Sequence, residues 1–122
     1  MPTKPLTENQ VQRGVCDHLH SRGVPGLVWF AVPNGGYRTP AEAAILKGQG
    51  VQRGVSDLIL LHAGHFYALE LKKDGKAVAY GSAQAEFIDS VRRQGGTAEW
   101  AAGLDAALRT LQEWGLLKGK AA

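Results

Sequence analysis

The sequence predicts an α/β domain in which a mixed sheet of about four strands is flanked by helices, in the order α-β-α-β-β-α-β-α. Two observations carry that reading. Residues 51–76, VQRGVSDLILLHAGHFYALELKKDGK, hold two short apolar runs, Asp57–His62 and His65–Leu71, on either side of Ala63-Gly64, the pattern of a β-hairpin. The hairpin is apolar on both faces: Ile59, Leu61, Phe66 and Ala68 share one, and Leu58, Leu60, Tyr67, Leu69 and Leu71 the other. A sheet apolar on both sides needs covering elements on both sides, which the helical patterns around it can supply.

The elements follow in order. Thr7 and Gln10 match a capping box, with Leu6 and Val11 placed as a hydrophobic staple, so a helix starts near Glu8 and runs to about Arg22 before Gly23. Val11, Val15 and Leu19 form its core stripe, and Glu8 shares that inward face. A first-turn carboxylate that complements the helix dipole is the plainer reading of Glu8; an acid directed into the hairpin site is the sharper one. Gly26–Val32 is a compact strand, broken by the glycine-rich loop Pro33–Arg38. Thr39 caps a short helix with Pro40 at its first position and Glu42 completing a second capping box, and the helix ends near Lys47.

After the hairpin, Asp74-Gly75 opens a loop containing Lys73 and Lys76. Gly81-Ser82 precedes a helix in which Gln84, Phe87, Ile88 and Val91 share the buried face, ended by Gly95-Gly96. Thr97–Ala101 returns to the sheet, and Leu104, Leu108 and Leu111 mark a last amphipathic helix. The tail from Leu117 onward is expected to fray.

Composition bounds the function. The 122 residues suit one domain, 1–122, and 44% hydrophobic with 20% charged residues is an ordinary globular balance. No apolar run approaches the roughly 18 residues of a membrane span, and the polar start MPTKPLTENQ does not read as a signal peptide. The single Cys16 excludes an internal disulfide and suits a reducing cytoplasm. A net charge of +3 permits binding to a polyanion without demanding it. The fragment VQRGV recurs at Val11 and Val51 in unlike contexts and is treated as chance.

The chemistry concentrates at one end of the hairpin. With an even turn at Ala63-Gly64, paired residue numbers sum to 127, which sets Asp57 across from Glu70, Cβ atoms about 5 Å apart. Lys72 lies two residues on, on the same face. Two opposed carboxylates with an amine nearby suit a hard divalent cation and phosphodiester hydrolysis. An isolated D…ExK is more often a structural ion pair, and that reading stays open on these residues alone. His62 and His65 sit at the far end and read as loop-tip residues. Arg38, Lys47 and Arg53 gather on the approach to Asp57 as a basic rim.

The surroundings of the pair go further. Gly54-Val55-Ser56-Asp57, two strands, Glu70-Leu71-Lys72 and a helix with an inward Gln84 resemble the PD-(D/E)xK nuclease superfamily, and more closely the VRR-NUC (virus-type replication-repair nuclease) family. The resemblance runs from the Glu8 helix through the Pro33-Asn34-Gly35-Gly36 loop, Arg38 and Lys47 to the last helix. It implies a restriction-endonuclease-like core, with Asp57 and Glu70 as metal-binding acids, Lys72 as the catalytic lysine, Gln84 supporting the site and Glu8 as the acid of the first helix. Two departures stand out: Ser56 where the family more often has proline, and Tyr80-Gly81-Ser82 before Gln84 in place of the usual Leu-Ser spacing.

The expectation is a DNA endonuclease using Mg²⁺ or Mn²⁺ held by Asp57, Glu70, the Leu71 carbonyl and Glu8. Lys72 stands beside the attacking water, and Asn34, Arg38, Lys47, Arg53, Lys73 and Lys76 contact DNA. Stand-alone members of the family look like homodimeric resolvases of branched DNA, which implies a two-fold dimer working in the cytoplasm of a bacterial or phage-infected cell. The alternatives are a nuclease subunit that needs a replication or repair partner and a non-catalytic DNA-binding module.

Overall fold

The computed structural model describes residues 4–33 and 38–119; Asn34 lies outside them. They form α1 (Glu8–Arg22), β1 (Val28–Ala31), α2 (Pro40–Gly48), β2 (Leu58–His62), β3 (His65–Lys72), α3 (Ala83–Arg93), β4 (Thr97–Ala102) and α4 (Leu104–Glu113). The sheet order is β1-β2-β3-β4, antiparallel except for the parallel β3–β4 pair. The expected element order and the mixed sheet are therefore observed. No helix among the described residues is long and apolar enough to cross a membrane.

The hairpin register is the expected one: Leu58 faces Leu69 and His62 faces His65 across the two-residue turn. Ala63 (φ 51°) and Gly64 (φ 77°) both take left-handed backbone, the geometry of a type I′ turn whose twist matches its strands. Glycine adopts it freely, whereas alanine carries a cost of about 1 kcal/mol. The remainder of the register has to hold it there.

One face of the sheet packs under α1 and α4. Leu58, Leu60, Leu69 and Leu71 meet Val11, Val15 and Leu19 of α1 and Ala107 and Leu111 of α4 in a fully enclosed core. The α1 start is fixed as the sequence indicates: Gln10 N–H donates to the Thr7 hydroxyl (3.1 Å), and Thr7 N–H donates to the Gln10 side chain (2.9 Å). At α2 the second expected capping box is incomplete. Glu42 N–H donates to Thr39, but the Glu42 carboxylate accepts from the Thr39 hydroxyl (3.0 Å) rather than from backbone.

The opposite face is covered by α3, where Ile59, Ala68 and Ala98 pack on Ile88. The cover is partial. Val28, Phe30, Leu61 and Phe66, on the same face, stay exposed, and α2 buries no residue. Two further expectations are corrected. The first strand is shorter than Gly26–Val32, because Gly26 turns at φ 82°. The tail does not fray where it leaves α4: Leu116 and Leu117 are buried, Leu117 bridges Gly23, and Lys118 N–H donates to the Arg22 carbonyl (2.7 Å). Two consecutive leucines under the end of α1 are worth more buried than loose.

Gly54 locks the loop before β2 onto α3. Its φ is +81°, and a Cβ there would lie 2.4 Å from the Ala83 carbonyl carbon and oxygen. Gly50 has a similar φ, +93°, but open space around it. Gly54→Ala is expected to lower unfolding free energy by about 3 kcal/mol, left-handed strain plus backbone overlap, and Gly50→Ala by only about 1 kcal/mol. Chemical denaturation of both variants measures the difference; equal losses would show that the Ala83 contact does not constrain the fold.

Candidate active site

The site sits where β2 and β3 begin and end beside α1. Asp57 precedes β2 by one residue, and its carbonyl accepts from Val32 N–H (2.8 Å), so it continues the β1–β2 ladder. One step beyond the Leu58–Leu69 pair, it faces Glu70 as the register requires. The Asp57 Oδ2 accepts from Leu71 N–H at 2.8 Å. The carbonyl of Lys72 accepts from Gly103 N–H on the β4 side (2.9 Å). Strand alternation then turns the Leu71 amide and carbonyl toward Asp57. Leu71 therefore offers one donor and one acceptor at the acid pair.

Glu70 is 5% exposed, and its Oε1 is buried without a hydrogen-bond partner among the described residues. Burial first, and the neighbouring Asp57 charge second, push its carboxyl up to about 7, with Lys72 opposing them. Burial likewise raises the Asp57 carboxyl above the usual aspartate range, and Glu8 adds to the rise, against the Leu71 N–H, Glu70 and Lys72. Two acids sharing one buried spot resist double ionisation. A cation between them removes the conflict.

Two clefts meet at this pair, with Val32 and Pro33 in the wall of both. The smaller, about 560 Å³, is lined by Glu8, Asn9, Gln12, Asp57 and Leu71. The larger, about 1160 Å³, is lined by Glu70 and Gln84 together with Arg38, Lys47 and Arg53. The expected residues thus divide. Asp57 and Glu8 share one cleft; Glu70, Gln84 and the basic rim share the other. Glu8 is exposed, and among the described residues no three Asp, Glu, His or Cys side chains converge as a metal-holding group. Lys73 and Lys76 line neither cleft and belong to a turn closed by Lys76 N–H donating to the Lys73 carbonyl (2.9 Å).

Gln84 reaches its place because Ser82 caps α3, accepting from Ala85 N–H (3.2 Å), which starts the helix beside Gly54. The unusual Tyr80-Gly81-Ser82 approach thus ends in an ordinary cap. Sequence reasoning passed over Asn9 and Gln12. Glu8 and Gln12 are four apart on α1, a spacing that puts both on one helix face and could have marked Gln12. Ser56 carries a cost of its own, its hydroxyl being buried beside Asp57 without a hydrogen-bond partner among the described residues.

No protein-family model and no curated protein matches the chain. Solved structures do. A "VRR_NUC domain protein" aligns over 92% of this chain and 90% of its own length at 30% identity, with a TM-score of 0.70. A second structure, named "VRR_NUC domain", aligns over 88% and 95% at 17% identity and a TM-score of 0.58, which speaks to the fold alone.

The raised Glu70 value has a signed consequence for stability. Between the ordinary value of 4.5 and about 7 the folded chain binds more protons than the unfolded one, so stability falls as pH rises through that window. The full penalty, on the order of 3 kcal/mol, is present above pH 7 and absent below 4.5. In chelator, Glu70→Gln is therefore expected to melt above the parent at pH 8, with the gap closing by pH 4.5. A gap independent of pH would contradict this account. Ser56→Ala is expected to gain about 1 kcal/mol at either pH by removing an unsatisfied hydroxyl. Denaturant midpoints check it, and a loss would show that the hydroxyl has a partner.

Proposed function

The chain belongs to the VRR-NUC family of nuclease domains, with its restriction-endonuclease-like α/β fold, and we propose that it is a divalent-metal-dependent DNA endonuclease hydrolysing phosphodiester bonds. The observation that carries this reading is the opposition of Asp57 and Glu70 with a buried, unpartnered Glu70 oxygen between two clefts. The donor set fits a hard divalent cation. Asp57, the Leu71 carbonyl and Glu70 with its unpartnered Oε1 are oxygen donors where the two clefts meet, and charge neutralisation there would relieve both acids. Glu8 lines the smaller cleft with Asp57 from α1, outside that donor set.

Mg²⁺ or Mn²⁺ bound there supplies positive charge for the scissile phosphate and lowers the pKa of a coordinated water. The chain's own residues do the rest. Asp57 is held by Leu71 N–H, so its second oxygen is aimed by the backbone. Lys72, on the strand face of Glu70, orients the attacking water and meets the charge that builds on phosphate as the bond to the leaving oxygen breaks. Gln84 lines the larger cleft with Glu70, and Arg38, Lys47 and Arg53 grip the flanking phosphates from its rim.

The preference for branched DNA and the two-fold dimer rest on the family resemblance, as does action in the cytoplasm. A dimer brings two sites to one junction for paired nicks.

Lys72→Ala is expected to reduce cleavage at least about 100-fold, roughly 2.7 kcal/mol of transition-state stabilisation, with fold and DNA affinity kept. Gel assays on four-way, flap and linear substrates with Mn²⁺, Mg²⁺ or chelator test it. Cleavage by Lys72→Ala at the parent rate, or cleavage in chelator, would overturn the assignment. Independently of activity, either cation is expected to raise the melting temperature more at pH 8 than at pH 5, and not in Asp57→Asn.

A further inference from the structure

The sheet face that carries the acid pair is covered only in part. α3 shields β3, β4 and the Ile59 position of β2, and beyond it the residues of β1 and of the hairpin tip on this face lie open. Phe30 stands directly opposite Ile59, and Asp57 follows two residues back along the same face of β2. Diagonal neighbours of that kind lie about 7–8 Å apart. Phe30 is thus close to the acids and yet 53% exposed. Val32, next on the same face of β1, joins the two: its N–H donates to the Asp57 carbonyl (2.8 Å), and it lines both clefts. From Phe30 the open surface continues through Val28 and Leu61, a direct cross-strand pair, to Phe66 across from Leu61. All three are exposed, and the register places them side by side, unlike apolar residues scattered singly over a surface.

We propose that Phe30 stacks on an unpaired base of the DNA strand being cut, next to the scissile phosphate. Val28, Leu61 and Phe66 continue the platform, and a single-stranded segment there becomes the feature that selects the substrate. A nucleic-acid strand presents charge along its backbone and flat apolar faces on its bases, and this side of the molecule keeps matching features apart. Arg38, Lys47 and Arg53 line the larger cleft, whereas the row holds no charged residue and has nothing to offer a phosphate. A strand with one phosphate at the acids and its neighbours on the rim can turn its bases onto the row. The distance of about 7–8 Å from Asp57 to Phe30 is about two steps of a stacked strand at about 3.4 Å each, so the base received lies close to the cut. In duplex the base faces are covered by their neighbours, and a ring reaches them only where pairing and stacking have been given up. Charge alone cannot make this distinction, since duplex and single strand are both polyanions. The inference rests on the nuclease reading above and deepens it, naming the substrate feature and the side chain that reads it.

Fluorescence anisotropy of a labelled oligothymidylate and of a labelled duplex, titrated with the full chain in chelator, tests it. Phe30→Leu keeps the position apolar and removes the ring. It is expected to weaken single-strand binding about fivefold or more, with duplex binding and salt dependence unchanged. Phe30→Trp is expected to bind as the parent does. Arg53→Ala instead weakens binding to both ligands and flattens the salt dependence, as loss of a phosphate contact does. No single-strand binding by the parent, an affinity unmoved by Phe30→Leu, or an equal loss on duplex overturns the proposal. A protein partner seated on the row gives the second of these results. Should Phe30→Leu lose the circular dichroism of the parent, photocrosslinking of the parent to an oligonucleotide carrying iodouracil decides: adducts on Phe30 or Phe66 support the platform, and adducts elsewhere or none overturn it. The two readings fail separately. A parent that binds single strands through Phe30 but cleaves nothing with Mg²⁺ or Mn²⁺ keeps this surface and loses the nuclease reading. Cleavage abolished by Lys72→Ala, with single-strand affinity indifferent to Phe30, does the reverse.

Discussion

Two carboxylates facing each other across the mouth of a hairpin are the constraint around which this domain is built. Asp57 and Glu70 oppose each other because the turn at Ala63-Gly64 has two residues, an even number. A one-residue slip would send the acids to different faces and turn every leucine of the hairpin outward. The energetics show which effect wins. Holding the buried acid pair costs a few kcal/mol above pH 7. Leu58, Leu60, Leu69 and Leu71, all fully buried on the same two strands, each contribute about 2 kcal/mol or more. The hydrophobic register therefore outweighs the electrostatic conflict and keeps it in place. That stored conflict is what a divalent cation would relieve.

The electrostatics around the pair are directional. On the α3 side the larger cleft carries Arg38, Lys47 and Arg53, a positive approach for a polyanion. On the α1 side the smaller cleft carries Glu8 with the neutral amides of Asn9 and Gln12, and it raises rather than lowers the proton affinity of Asp57. A polyanion would thus be drawn from one side and repelled on the other, with the acids at the boundary. Gly54 matters here for a steric reason. Its close approach to Ala83 ties the loop that delivers Asp57 to the helix start that delivers Gln84.

Most of this architecture is legible in the residues themselves. The caps at Thr7, Thr39 and Ser82 announce their helices because their hydroxyls accept from N–H groups only three residues on, a purely local signal. The even turn and period-two pattern give the 57–70 opposition, again from local geometry. Legibility fails where two distant segments meet. Nothing local indicates that Leu117 closes the core beneath α1, so a chain end of Leu-Lys-Gly-Lys reads as loose. Likewise Lys73 and Lys76 are expected to contact DNA from their place beside Lys72, yet neither lines either cleft.

The sequence by itself determined the element order, the hairpin register, the opposed acids with Lys72 on their strand, and the arrival of Gln84 from the next helix. Each depends on spacing within one or two neighbouring elements. Only the tertiary structure decided that Asp57 and Glu70 open into different clefts, that Glu8 stands across from Asp57 without completing a three-acid cluster, and that half of one sheet face is left bare. Those outcomes depend on where α1, α2 and α3 come to rest against the sheet. The helical patterns say which side of each helix faces inward, but not how far across the sheet each helix reaches.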